Sequence, residues 1–363
     1  LLVSLLSLLV ITVLLFGAAL ALAQTRLAKD QISGLVESSL TSDGQSAEVQ
    51  DLGGFLPFDV RLGRFSLADD TGTWLEVDEA RVTVSPTRLL AGEILVEQAG
   101  AARIAVHRAP DLPQRPEPAE APEAEPFSLP EPPTLPESLP RITVERLFAD
   151  RIELGEALIG EAAVFNLEGH ATTGPTGRAA EARLDLVRID QPTASLWLGA
   201  TLDLDADRIG VDLQGSETGG LMAALTGRED AGNLSLTLAG DGPLDDWQAE
   251  LQFAIERLVT ANADLALAYA ANPSIDLALR VVPVGGALPP EIEAVLGQRL
   301  ELALAGGQRA PGHFALDRLT LDSGLVTASG TLEARLDEDR LTGRISVTAA
   351  DLARASALAG QPL

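Results

Sequence analysis

The chain has 363 residues, with 53 acidic and 26 basic side chains, a formal charge of −27, and 46% hydrophobic residues of which few are aromatic. Such a charge repels DNA, RNA and anionic head groups, so nucleic acid is excluded as a partner. The absence of cysteine excludes a disulfide framework, a thiolate metal site and a cysteine nucleophile. At this length single hydrophobic cores stop growing and chains divide into domains or repeats.

Leu1 to Ala23 is an apolar run broken only by Ser4, Ser7 and Thr12. About 20 such residues span the ~30 Å hydrocarbon core as a helix, so residues 1–23 read as a transmembrane signal-anchor. The small-x-small triplet Ala21-Leu22-Ala23 also permits a cleavable signal peptide. From 24 to 40, Leu27, Ile32, Leu35, Val36 and Leu40 keep a helical spacing, which predicts a helical extension.

From Val60 onward the dominant signal is alternation of apolar and polar residues, as in Arg64-Phe65-Ser66-Leu67, Leu234-Ser235-Leu236-Thr237-Leu238 and Ile275-Asp276-Leu277-Ala278-Leu279, and residues 41–109 and 141–363 are read as β-groove units. This period of two predicts strands with one apolar and one solvated face. Asp69-Asp70-Thr71-Gly72, Gly174-Pro175, Asp241-Gly242-Pro243 and Gly285-Gly286 punctuate them as turns. Two short helices are predicted, at Glu217 to Leu225 after Ser216 and at Glu291 to Leu296 after Pro289-Pro290. Between them in character lies the segment 110–140, which holds 11 of the 22 prolines and reads as an extended linker or loop.

Arg64-Phe65-Ser66-Leu67, Arg151-Ile152-Glu153-Leu154 and Arg318-Leu319-Thr320-Leu321 share one form at separations of 87 and 167 residues. Repetition of this kind predicts a sheet grown from similar units. The fold class expected is therefore mainly β: an N-terminal transmembrane helix, then an elongated, curved antiparallel sheet forming a groove, with short helices.

No catalytic fingerprint is present, and no cofactor is implied. His107, His170 and His313 stand apart from carboxylate-rich or HExxH spacing, so no metal site is read from them. Asp203, Asp205 and Asp207 resemble the start of a calcium loop, but Arg208 and Gln214 occupy the positions that need a glycine and a bidentate glutamate. The paired acids Asp69/Asp70 and Asp245/Asp246 sit in turns, where they cap backbone amides.

One-sided apolar strands must cover their greasy face or offer it to something apolar. Acyl chains suit such a face, because carrying a 16-carbon chain through water costs on the order of 12 kcal/mol at ~0.8 kcal/mol per CH₂. The lipid-groove candidates are Leu62, Phe65, Leu67, Val77, Val82, Leu184, Leu186, Leu236, Leu277, Leu319 and Leu321. Alternatives are a chaperone that pairs incoming strands to a sheet edge, and a β-solenoid filled by its own side chains.

Gly53-Gly54-Phe55-Leu56-Pro57-Phe58, Gly72-Thr73-Trp74-Leu75, Ser85-Pro86-Thr87-Arg88-Leu89-Leu90-Ala91-Gly92, Asp241-Gly242-Pro243-Leu244-Asp245-Asp246-Trp247 and Leu288-Pro289-Pro290-Glu291 together resemble the TamB family, the translocation and assembly module subunits of the AsmA-like group. The resemblance implies a single-pass bacterial inner-membrane anchor and a periplasmic β-groove. It also implies phospholipid as cargo, support of outer-membrane protein insertion, and an Omp85-type outer-membrane barrel as partner through a C-terminal region absent from these residues.

Overall fold

A computed structural model describes residues 44–111, 136–190, 194–218, 231–269 and 272–349, together with positions 25, 31, 33, 34 and 37–41. The apolar run 1–23, most of the extension 24–40 and most of the proline-rich segment lie outside the described residues. Among the described residues no helix is long and apolar enough to cross a membrane.

The protein is mainly β, with two compact units, and the first comprises residues up to 125, 140–172 and 186–190. Its strands are β1 (Gln45–Phe55), β2 (Asp59–Asp69), β3 (Gly72–Val84), β4 (Ile94–Val106), β5 (Ile142–Leu154) and β6 (Ala163–Thr173). Each pairs with the next. The hairpin β1–β2 turns at residues 56–58, and just before it Gly54, paired with Val60, has a φ of 88° that suits glycine, with a Cβ there 2.0 Å from the Asp59 carbonyl oxygen.

The expected all-antiparallel sheet is corrected here, because β4 and β5 run parallel, with Ile94 opposite Ile142 and Val106 opposite Leu154. A parallel pair needs a crossover that returns the chain from one strand end to the other. Residues 107–141, which contain the proline-rich segment, separate the two strands in sequence. The close approach of β4 to β5 rests on Gly100, where a Cβ would stand 1.9 Å from the Phe148 carbonyl oxygen.

The apolar alternation in this unit changes phase along one column of the sheet. In β2 the apolar residues are Val60 and Leu62, then Phe65 and Leu67; in β3 they are Leu75 and Val77, then Ala80 and Val82. Asp51 and Glu79, with φ of 57° and 52°, mark the break. Gly63 lies between them in the register, and a Cβ there would be 2.7 Å from the Asp51 Cβ. A left-handed residue inside a strand resets the two-residue period, so both parities carry the greasy set.

The second unit comprises residues 126–139, 173–185 and 191–363. Its paired strands are β8 (Ala194–Asp203), β9 (Arg208–Glu217), β10 (Leu234–Pro243), β11 (Trp247–Ile255), β12 (Val259–Ala268), β13 (Ser274–Pro283), β14 (Leu300–Ala310), β15 (His313–Asp322), β16 (Val326–Arg335) and β17 (Arg340–Ala349). All are antiparallel to their neighbours in sequence, and no pairing among the described residues joins β17 back to β8. Strand β7 (Ala179–Arg188) is divided between the units.

Among the described residues three short α-helices interrupt the strands, α1 (Pro86–Leu90), α2 (Glu156–Ile159) and α3 (Pro290–Leu296), and a 3-10 helix at Leu336–Glu338 joins β16 to β17. Of these, α3 agrees with the sequence expectation. The helix expected to open after Ser216 is corrected over its first residue: Ser216 and Glu217 end β9, where Ser216 pairs with Ser195 on one side and Ser235 on the other. Two ladders outweigh a serine that resembles a helix cap. Residues 219–225 lie outside the described residues.

Candidate functional site

The second unit presents one continuous apolar row. Following the register from β8 to β17, Leu198, Leu213, Leu238, Leu251, Ala263, Leu279, Leu302, Leu321, Ala328 and Val347 stand opposite one another in turn. With strands ~4.8 Å apart, the row runs roughly 43 Å. None of the ten is buried, and Val347 is 62% exposed. Two residues further along the strands a parallel row contains Leu265, Leu277, Leu304 and Leu319.

Three of the four sequence candidates of this unit fall into these rows, and Leu236 lies in a row beside the long one. Leu277 and Leu319 both face Leu304 across ladders, Leu321 belongs to the long row, and Leu236 pairs with Gly215 and Phe253 one step away. All four are half-buried. In the first unit Phe65 faces Val77, Leu62 faces Ala80 and Val82 faces Val60. Leu67 is buried there, opposite Leu75, while Val82 is 40% exposed. Leu184 and Leu186 are half-buried on β7.

A cavity of about 500 Å³ opens beside the rows, where β12 to β17 contribute Leu267, Ile275, Leu304, Phe314, Leu316 and Leu332. Only Tyr269, Ser274 and Gln308 bring polar side chains to it. The register breaks beside it, between Leu316 and Leu319 and between Ala305 and Gly306, and bulges of this kind re-aim neighbouring side chains. Arg309 pairs with the bulged Asp317.

The opposite side of the same strands is polar. Asp212, Ala239, Glu250, Asp264, Ala278, Ala303, Thr320, Ser329 and Ser346 form its row. A second cavity, of about 640 Å³, is lined there by Asp212, Glu250, Asp264 and Asp276. Asp276 is held by Arg318 at 2.7 Å, and Asp241 by Arg208, whose guanidinium lowers the carboxyl pKa. Among the described residues no group of His, Asp and Glu is placed to hold a metal ion. At Asp203 the carboxylate accepts from the Asp205 and Ala206 amides, which assigns it to the turn.

The first unit carries its own ionic face. Arg64 meets Asp78 at 2.8 Å, and Arg103 donates to Asp78 at 2.9 Å and to Glu153 at 2.7 Å. Hydrogen bonds from Arg103 and then Arg151 hold the Glu153 carboxyl down at about 2. At the β2–β3 turn Arg108 clamps Asp69, which also accepts from the Thr71 and Asp111 amides; its pKa is lowered chiefly by Arg108. The repeat motifs Arg64–Leu67 and Arg151–Leu154 occupy the same rows, since Phe65, Val77, Ile104 and Ile152 stand in register.

Fold and site together define a mainly β protein with an unburied aliphatic row on one side of its strands and carboxylates on the other. No protein-family model, curated protein or solved structure matches the chain.

Proposed function

We propose that the apolar rows of the second unit bind the acyl chains of phospholipids, and that the protein conducts lipid along them. The observation that carries this reading is the unburied row from Leu198 to Val347 across ten strands. A solenoid filled by its own side chains would bury that row. The adjoining cavity of about 500 Å³ falls within the 300–1,000 Å³ range of small-molecule sites, and its aliphatic lining suits a methylene chain. The resemblance to the TamB family supplies the remaining parts: an inner-membrane anchor at residues 1–23, a periplasmic body and an Omp85-type barrel.

The test is photolabelling with a phospholipid carrying a photoreactive group near the chain terminus, followed by peptide mapping. Label should fall on β12 to β16 in the rows of Leu279 and Leu304. A chain that takes no label, and that yields no phospholipid on extraction after purification, refutes the proposal.

A second reading has an observation of its own. Strand β17 pairs only with β16 among the described residues, and Leu341, Ile345 and Val347 are 70%, 45% and 62% exposed. An edge of this kind can accept an extended segment from another chain, as a scaffold for outer-membrane strands requires. Cross-linking of an unfolded outer-membrane strand to β17, with no lipid label on the rows, would favour it.

A further inference from the structure

The first and last strands leave their outer edges in opposite states. Strand β1 pairs with β2 alone among the described residues, so its other side is a sheet edge. The chain just before it makes a helical turn, in which the Thr41 amide donates to the Glu37 carbonyl at 2.8 Å. From this turn the Glu37 carboxylate accepts from the Val49 amide at 2.8 Å, and the Thr41 hydroxyl accepts from the Ala47 amide at 3.3 Å. The Gln45 side chain adds a bond to the Leu40 carbonyl at 3.0 Å. Amides two residues apart are the outward donors of an antiparallel edge strand, so two side chains stand where a pairing strand would put its carbonyls. Strand β17 differs. Among the described residues no side chain bonds to its backbone, and all of it except Ala349 is exposed.

The two edges are also complementary in charge and pattern. The ionisable residues of β1 are Glu48 and Asp51, and those of β17 are Arg340 and Arg344. Glu338 holds Arg340 at 3.2 Å, while Arg344 has no ion-pair partner among the described residues. The strands behind the edges are neutral in sum, β2 with Asp59, Arg61, Arg64 and Asp69, and β16 with Glu333 and Arg335. Laid antiparallel with Glu48 opposite Arg344, the two edges would set Ala47 against Ile345 and Ser46 against Ser346, apolar on apolar and polar on polar.

We infer that the turn 37–41 is a guard that keeps β1 from pairing with β17 of a second copy. Without it the chain would present two open edges of opposite charge. A contact between unlike surfaces of identical copies does not close on itself, and each copy added leaves an edge for the next. With Glu37 and Thr41 in place, an incoming β17 meets donors that are already taken. The guard belongs to the first unit and depends on no reading of the apolar rows.

The test uses the full chain in detergent micelles at 0.15 M salt, where repulsion between copies is screened beyond ~8 Å. In sedimentation over a concentration series the wild type should keep the mass of one chain. Glu37→Ala with Thr41→Val should instead rise with concentration to two copies and beyond, whereas Glu37→Gln, which keeps an acceptor oxygen, should not. Adding Arg344→Glu to the double variant sets like charges opposite each other and should return it to one chain. The chain has no cysteine, so Ser46→Cys and Ser346→Cys versions of the double variant, when mixed, should join chiefly as the mixed disulfide. In hydrogen exchange the Val49 amide should open on the order of tenfold faster in Glu37→Ala than in the wild type.

A double variant that holds the mass of one chain while its Val49 amide exchanges fast overturns the inference, because the edge is then open and still unpaired. So does an exchange rate at Val49 that Glu37→Ala leaves unchanged. Assembly that persists with Arg344→Glu, or that cross-links mainly through 46 to 46, assigns the contact to another surface and overturns it as well. Should circular dichroism show that the double variant loses its sheet, Glu37→Ala alone takes its place in every measurement.

Discussion

Leu304→Asp is the sharpest perturbation of the lipid reading, because Leu304 faces Leu277 and Leu319 across its two ladders and lines the apolar cavity. Full burial of a leucine is worth about 1.5–3 kcal/mol, and Leu304 is already half-buried, so a guest gains about 1 kcal/mol by covering the rest. The substituted carboxylate would also lose water when an acyl chain lies over it, at a cost of about 2–3 kcal/mol for even a modestly compensated polar group. The sum of about 3–4 kcal/mol corresponds to a loss of roughly 100- to 1,000-fold in occupancy at that point. Ala303→Asp is the matched control, since Ala303 belongs to the polar row with Ala278 and Thr320 on the other side of the same strand. Photolabelling by acyl-tagged phospholipid is the assay, with circular dichroism melts to show that both variants keep the sheet. Equal labelling of the two variants would refute the assignment of the cargo to this face.

Arg188→Met should destabilise the first unit by about 3 kcal/mol in chemical denaturation, because the Arg188 side chain is fully buried against Glu161 at 2.6 Å and Asp190 at 3.0 Å. Adding Glu161→Gln and Asp190→Asn should recover most of that loss. Gly100→Ala should cost about 2–3 kcal/mol in the same measurement, since its methyl group would force β4 away from the Phe148 carbonyl oxygen. The Glu153 carboxyl, held near 2 by Arg103 against an ordinary value of about 4.3, contributes stability that is complete above that ordinary value and lost as pH falls towards 2. Melting temperatures of the wild type and Glu153→Gln should therefore differ at pH 7 and converge near pH 2.

The strands of the second unit were legible because alternation survives there over most of each strand, broken only at the bulges of β14 and β15, and α3 because proline at its start has no competing ladder. What local pattern could not carry was long-range register. Leu236 and Leu321 are recognisable as strand apolar residues, but their connection through Leu238, Leu251, Leu279 and Leu302 depends on pairings between residues distant in sequence. The phase change at Asp51, Gly63 and Glu79 was hidden for a different reason. Period-two reading assumes extended backbone at every residue, and two left-handed aspartate or glutamate residues break the assumption while leaving the register intact. The parallel β4–β5 pair was masked by the proline-rich segment, whose composition announces a linker and says nothing of the direction in which the chain resumes.

The two sides of the second unit pose one colloidal problem and answer it together. An aliphatic row some 43 Å long would drive two copies to close face to face, and a closed pair would hide the surface a lipid needs. Carboxylates at Asp212, Glu250, Asp264 and Asp276 on the other side of the strands contribute to a charge of −27, which repels a second copy at distances up to the Debye length of ~10 Å at 0.1 M salt. A phospholipid tail carries no charge along its methylenes and meets no such repulsion on the apolar side. If the rows carry acyl chains as proposed, separating acid from oil on alternate residues would disfavour the copy while admitting the chain, and it would need only the strand period to do so.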